Sequence, residues 1–153
     1  MPMLKKITCL AVDDEPPALI ILQQYIAAVP GLELSGTCNN AVEAMEFLQQ
    51  QRIDLLFLDI QMPQLLGTDF VRTLKSPPKV IFTTAYRKFA VEGFELNAVD
   101  YLLKPISFER FVNPFSNQYS KLLPNLTISQ KSGEYNQWRI SYSQRIQRPT
   151  QRH

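Results

Sequence analysis

A doubly wound α/β fold, five parallel strands flanked by five helices, is the class this sequence predicts, on three observations. Short β-rich apolar runs alternate with helix-period segments as far as about residue 123, a pattern that forces a parallel sheet covered by helices on both faces. The third run, Ile53 to Leu58, is almost unbroken in apolar residues, as a strand buried on both faces requires. With 153 residues, 45% hydrophobic and 20% charged, the chain suits one core and is too short for two ordinary ones.

The elements follow in order. Ile7 to Val12 reads as the first strand. Pro16-Pro17 then suits the first turn of a helix, where a missing N–H costs nothing. Leu19, Leu22, Ile26 and Val29 fall at the 3 and 4 spacing of one buried face, and Pro30-Gly31 stops that helix. A second strand is expected near Leu32 to Cys38, and a second helix on the spacing of Ala41, Ala44, Met45 and Leu48. The third strand ends in Asp59. A loop with Pro63 and Gly67 leads to a third helix near Asp69 to Leu74, which Pro77-Pro78 ends. Val80 to Thr83 is the fourth strand, and Arg87 to Leu96 a fourth helix weakened by Gly93. Val99 to Leu103 is the fifth strand. Lys104-Pro105 then precedes a last helix with Phe108, Phe111, Val112, Phe115 and Tyr119 on one side.

Composition narrows the function. No apolar run is long enough to span a bilayer, and the start, with Lys5 and Lys6 ahead of a short strand, lacks the form of a secretory signal. A cytoplasmic protein without membrane contact is expected. Cys9 and Cys38 lie in apolar or strand-like stretches with no CxxC spacing, so buried free thiols are expected instead of a zinc or redox site. Residues 1–125 hold 11 basic and 13 acidic side chains, a balance of −2, whereas residues 126–153 hold five basic and one acidic, a balance of +4.

In doubly wound sheets ligands sit at the carboxyl ends of the strands, and three carboxylates stand there: Asp13 and Asp14 after the first strand, Asp59 after the third. Neighbouring strands would crowd them, raising at least one pKa unless a cation joins. Magnesium suits the place, since it takes oxygen ligands, keeps several waters and sits beside phosphate. Lys104, after the fifth strand, adds a positive charge at the same edge. Phosphoryl transfer needs little beyond a nucleophile, positioning and neutralised charge. Asp59 is the natural nucleophile, because an aspartate can form an acyl phosphate; Thr84 and Lys104 can each engage a phosphoryl oxygen. Taken singly, each residue has a plain alternative, the aspartates as helix caps or turn residues and Lys-Pro as a surface turn. Their joint order at strand ends carries the functional reading.

These motifs resemble the receiver domain of two-component response regulators, over about residues 5–123. Val12-Asp13-Asp14-Glu15 resembles the acidic pair after the first strand, and Leu58-Asp59-Ile60-Gln61-Met62-Pro63 with Gly67 the phosphoacceptor strand and loop. Phe82-Thr83-Thr84-Ala85-Tyr86 and Asp100-Tyr101-Leu102-Leu103-Lys104-Pro105 resemble the switch and lysine motifs. The resemblance implies a flavodoxin-like receiver fold and phosphorylation of Asp59 by a sensor histidine kinase. It implies Mg2+ on Asp14, Asp59 and the Gln61 backbone carbonyl, with Asp13 acting directly or through water. It further implies a switch through Thr84 and Tyr101, a cis peptide before Pro105, and a homodimer through the face of the fourth helix, fifth strand and fifth helix.

The run from Thr84-Ala85-Tyr86 to Val91-Glu92-Gly93-Phe94-Glu95-Leu96-Asn97-Ala98-Val99-Asp100-Tyr101 is most similar to the LytTR (LytR/AgrA-like) subclass, whose receivers control a β-rich DNA-binding domain. The expected division is a receiver over residues 1–123 and a basic, mostly disordered tail over 124–153. That tail is too short for such an output domain, which is expected to be missing or truncated; DNA contact would need it in full. A rival class, the aspartate-nucleophile phosphatases of the haloacid dehalogenase type, needs a second acid two residues past the nucleophile, where Gln61 stands. Pro114, inside the last helix, removes a hydrogen bond and crowds the Arg110 carbonyl at a cost of about 3 kcal/mol, so a kink or early end is expected there.

Overall fold

A computed structural model of the chain describes residues 6–89 and 95–115. Five strands form one parallel sheet: β1 (Ile7–Val12), β2 (Leu32–Cys38), β3 (Leu55–Asp59), β4 (Lys79–Thr84) and β5 (Asp100–Leu103). Four α-helices lie among the described residues: α1 (Pro16–Ala28), α2 (Ala41–Gln50), α3 (Gly67–Thr73) and α4 (Phe108–Val112). The strand order is β2-β1-β3-β4-β5. The chain therefore steps outward from β1 to β2 and returns across β1 to β3, leaving a crevice between the carboxyl ends of β1 and β3.

Period-two alternation splits the apolar residues between two faces. On one side Ile7, Cys9 and Ala11 of β1 and Leu55 and Phe57 of β3 pack with Leu19, Leu22 and Ile26 of α1 and with Phe108 and Phe111 of α4. On the other, Leu10, Val12, Leu56 and Leu58 pack with Ala44 of α2, Phe70 of α3 and Phe82 of β4. Phe57 and Phe111 stack with ring centroids 5.3 Å apart. Both cysteines are buried and free. Burial pushes the Cys9 thiol up to about 12 and the Cys38 thiol to about 11, so neither forms a thiolate near neutral pH.

Local chemistry fixes the helix ends. Asn40 accepts from the Glu43 N–H at 2.9 Å while Glu43 accepts from the Asn39 N–H at 2.8 Å, a reciprocal cap for α2. Four of the five expected helices are seen within the described residues; the expected fourth, Arg87 to Leu96, falls partly outside them, with Glu95 helical near its end. Where a fourth was expected, Arg87–Phe89 form a 3₁₀ turn, and residues 90–94 lie outside the described residues. The third helix begins at Gly67, two residues earlier than expected, because the Gly67 N–H turns back to the Ile60 carbonyl at 2.7 Å. The last helix gives way to a 3₁₀ turn at Asn113–Phe115. Pro114 has no N–H for the Arg110 carbonyl, and Asn113 donates to it instead. Tyr119 and the expected tail lie outside the described residues. No helix among the described residues is long and apolar enough to cross a membrane.

Candidate functional site

The crevice at the switch point collects the expected carboxylates. Val12 pairs with Leu58 in register, so the next residues, Asp13 just past β1 and Asp59 at the end of β3, emerge side by side. Both are buried, at 0% and 3% exposure. Asp13 is held by a local turn in which its Oδ1 accepts the Glu15 N–H at 2.9 Å. Asp59 Oδ1 accepts the Gln61 N–H at 3.3 Å, which lays the start of the β3–α3 loop against the carboxylate. Gly67 closes that loop onto the strand: a Cβ there would stand 2.4 Å from the Asp59 carbonyl oxygen. Only glycine fits so near an approaching backbone.

Lys104 reaches the same crevice from the end of β5. Its ammonium lies 2.7 Å from Asp13 Oδ2, 3.5 Å from Asp59 Oδ1 and 3.5 Å from Glu15 Oε1. Burial pulls the lysine pKa down, but the Asp13 hydrogen bond and the charges of Asp59, Asp13 and Glu15 outweigh it and hold the ammonium form. The Lys104–Pro105 peptide is cis. Asp59 moves the other way. Burial first, and the neighbouring Asp13 charge second, push its carboxyl up to about 7 against the opposing pull of Lys104 and the Gln61 N–H.

One lysine does not balance this many acids. Oxygen atoms of Asp13, Asp14, Glu15 and Asp59 all lie within 4.8 Å of one another, with Asp14 and Glu15 on the open side. Four carboxylates, no nitrogen or sulfur donor and an open flank fit a hard divalent cation that keeps part of its water shell. Glu15 was not among the residues singled out from the sequence. Its place as the third consecutive acid after β1 was the available sign, and the structure brings it onto Lys104.

Thr84 ends β4, and Tyr101 lies on the paired strand β5. Thr84 is buried, and its hydroxyl accepts the Tyr86 N–H at 3.1 Å. Tyr101 is half-buried, with its hydroxyl donating to the Tyr86 carbonyl. Burial raises its pKa, with the Thr84 hydroxyl among the groups that oppose the rise. A further contact escaped the sequence reading. Arg110 of α4 forks onto Asp100 of β5 at 2.6 and 2.7 Å and donates to the Tyr101 carbonyl at 3.2 Å. Its partner stands ten residues away across a strand-to-helix turn, a spacing that no helix or strand rule flags.

Comparison with known proteins agrees with this geometry. The model of the response regulator receiver domain matches residues 9–115. An uncharacterized response regulatory protein of Shewanella oneidensis is 39% identical over 120 residues, covering 77% of this chain and 51% of that protein. The transcriptional regulatory protein BtsR of Escherichia coli is 42% identical over 106 residues, covering 68% of this chain and 44% of BtsR. The chain thus spans about half the length of the curated relatives it matches. Among solved structures, the response regulatory domain of protein mrkE from Klebsiella pneumoniae gives a TM-score of 0.68 at 31% identity, covering 75% of this chain and 97% of that one. The response regulator domain of Thermotoga maritima CheB gives 0.64 at 27% identity, covering 80% and 98%.

Proposed function

Because this chain belongs to the response regulator receiver domain family, we propose that Asp59 is its phosphoacceptor, that Mg2+ assists, and that a sensor histidine kinase supplies the phosphoryl group. The observation that carries this is the buried Asp59 with the Lys104 ammonium 3.5 Å from its Oδ1, inside a group of four carboxylates. An Asp59 oxygen attacks the phosphorus of a phosphohistidine. The new O–P bond makes an acyl phosphate as the P–N bond breaks, and the imidazole leaves with the bonding electron pair. Lys104 neutralises charge on one phosphoryl oxygen. Thr84 accepts a hydrogen bond from Tyr86 and keeps its own proton to donate to another.

Asp13, Asp14, Asp59 and the Gln61 carbonyl would hold the magnesium ion, with Glu15 at its open flank. Bound there, Mg2+ would supply positive charge to offset the carboxylates and the incoming phosphoryl group. Burial and Asp13 push the Asp59 carboxyl up to about 7, and a bound cation would favour its ionised form. Gln61 carries no acidic proton for a leaving group, which supports a phosphorylated signalling state over phosphatase turnover.

The output is a change of surface. As Thr84 turns toward the phosphoryl group it leaves room beside Tyr101, whose ring moves further in and alters the β4–β5 face and the helices beside it. The proposed homodimer contact is the face made by the expected fourth helix, β5 and the last helix. In a longer protein the same change would govern a LytTR-type DNA-binding domain in the cytoplasm. The kinase step is tested by incubating the chain with a histidine-phosphorylated kinase and Mg2+ and resolving phosphorylated protein by retardation gel. Wild type is expected to shift and Asp59→Asn to stay unshifted; equal shifts in both would refute the assignment.

A further inference from the structure

The end of the sheet opposite Asp59 holds a second concavity. A cleft of about 560 Å3 opens between the C-terminal ends of α2 and α3, where β3 and β4 begin, a volume within the range of roughly 300–1,000 Å3 found for ligand-sized pockets. Leu48, Ile53 and Leu74 line it with apolar surface. Pro77 and Pro78 form part of one wall, and their fixed φ angles set its shape before anything binds. Arg52, Lys75 and Lys79 line the same cleft, from the two segments that lead into β3 and β4. Asp54 is the one acid in the lining, and it is already engaged. Its Oδ2 accepts the Thr8 N–H at 3.0 Å and the Thr8 hydroxyl at 3.1 Å, while its Oδ1 lies 3.9 Å from Arg52 Nε.

The geometry points to this cleft as a docking site for a short acidic segment of a partner protein, with its carboxylates paired to Arg52, Lys75 and Lys79 and an apolar side chain seated on Leu48, Ile53 and Leu74. Charge complementarity selects the occupant. A basic segment is repelled, and residues 126–153 of this chain, at a balance of +4, have the wrong sign. Cations from two separate segments match carboxylates spaced along a chain better than a single anionic head. Gln51 and Ser76, also in the lining, offer an amide and a hydroxyl to the backbone of an extended segment. At about 3.3 Å per strand residue, the span from Asp54 to Asp59 puts some 16 Å between this cleft and the phosphoacceptor, so both can be occupied together.

The test does not depend on phosphorylation. The full 15N-labelled chain is titrated with a hexapeptide alternating leucine and glutamate, with a leucine–lysine hexapeptide and glutarate in parallel, and the amide shifts are followed. The acidic peptide is expected to give saturable shifts centred on Arg52, Asp54, Lys75 and Lys79 with Kd below about 1 mM. The double variant Arg52→Glu/Lys79→Glu should weaken binding at least about tenfold, with a dispersed spectrum and unchanged Asp59 phosphorylation reporting an intact fold. Lys75→Ala, a milder change, should weaken it in the same direction. Shifts that never saturate, that lie elsewhere, or that persist at equal affinity in both variants overturn the proposal. Glutarate or the basic peptide binding as tightly as the acidic one overturns it too, the first result marking a small-anion site.

Discussion

At the scale of single residues, Asp59 carries opposed demands. As the proposed phosphoacceptor it must be ionised, yet burial and Asp13 push its pKa up to about 7. A carboxyl whose folded-state pKa is raised favours the protonated form. Without divalent ions its protonation therefore adds stability that is fully present below the ordinary carboxylate pKa and lost as pH rises through about 7. Asp59→Asn removes that charge permanently. In chelator at pH 8 the variant is expected to be more stable than wild type by about 2 to 4 kcal/mol, the pull of Lys104 being already contained in the pKa of about 7, and to match it near pH 4. Urea denaturation at the two pH values measures this, and a variant less stable at pH 8 would contradict the electrostatic account. Gly67 makes a separate prediction. Its replacement by alanine drives a Cβ to 2.4 Å from the Asp59 carbonyl oxygen; the strain is expected to cost about 2 kcal/mol and to slow phosphorylation. Unchanged stability and rate would mean that the loop is not held where the structure has it.

At the scale of elements, β4 and β5 form the proposed coupling device. Tyr101 donates to the Tyr86 carbonyl and the Thr84 hydroxyl accepts the Tyr86 N–H, so the segment after β4 is tied to both proposed switch residues. Phosphorylation is expected to shift the ring resonances of Tyr101 in wild type and to leave them in place in Thr84→Ala, although Asp59 is still modified. A full Tyr101 response in that variant would refute coupling through Thr84. The strands were the most legible elements. β1 and β2 run over the expected residues because their apolar patterns end at Asp13 and at Asn39-Asn40, where the chemistry changes abruptly. The start of α3 was misread because Gly67 looks like a loop residue, and only the crossing of the Asp59 backbone explains a glycine at the head of a helix. Pro114 was read correctly, since a missing N–H acts locally. The Asp100–Arg110 fork was invisible, because it depends on how α4 returns over β5.

At the scale of the molecule, the site exists because the strand order sets β1 beside β3 and brings Lys104 from the end of β5 into the same crevice. That Asp13, Asp14, Asp59 and Lys104 come together was legible in the sequence from their positions at or just past strand ends. Glu15 and the rise in the Asp59 pKa required the packed arrangement. The oxygens of four carboxylates gather within 4.8 Å only in the folded chain, so Mg2+ should bind the native state preferentially. At ten times Kd that adds about 1.4 kcal/mol, a rise in Tm of about 5 °C for a domain of this size. The rise should disappear in Asp14→Ala, and a rise that persists there would contradict the carboxylate site. The most direct test of the central claim is the intact mass of the chain after incubation with acetyl phosphate, with and without Mg2+, beside Asp59→Ala. A gain of one phosphoryl group that needs both Mg2+ and Asp59 is the predicted result. A gain that survives in Asp59→Ala, or no gain in folded wild-type protein, would contradict it.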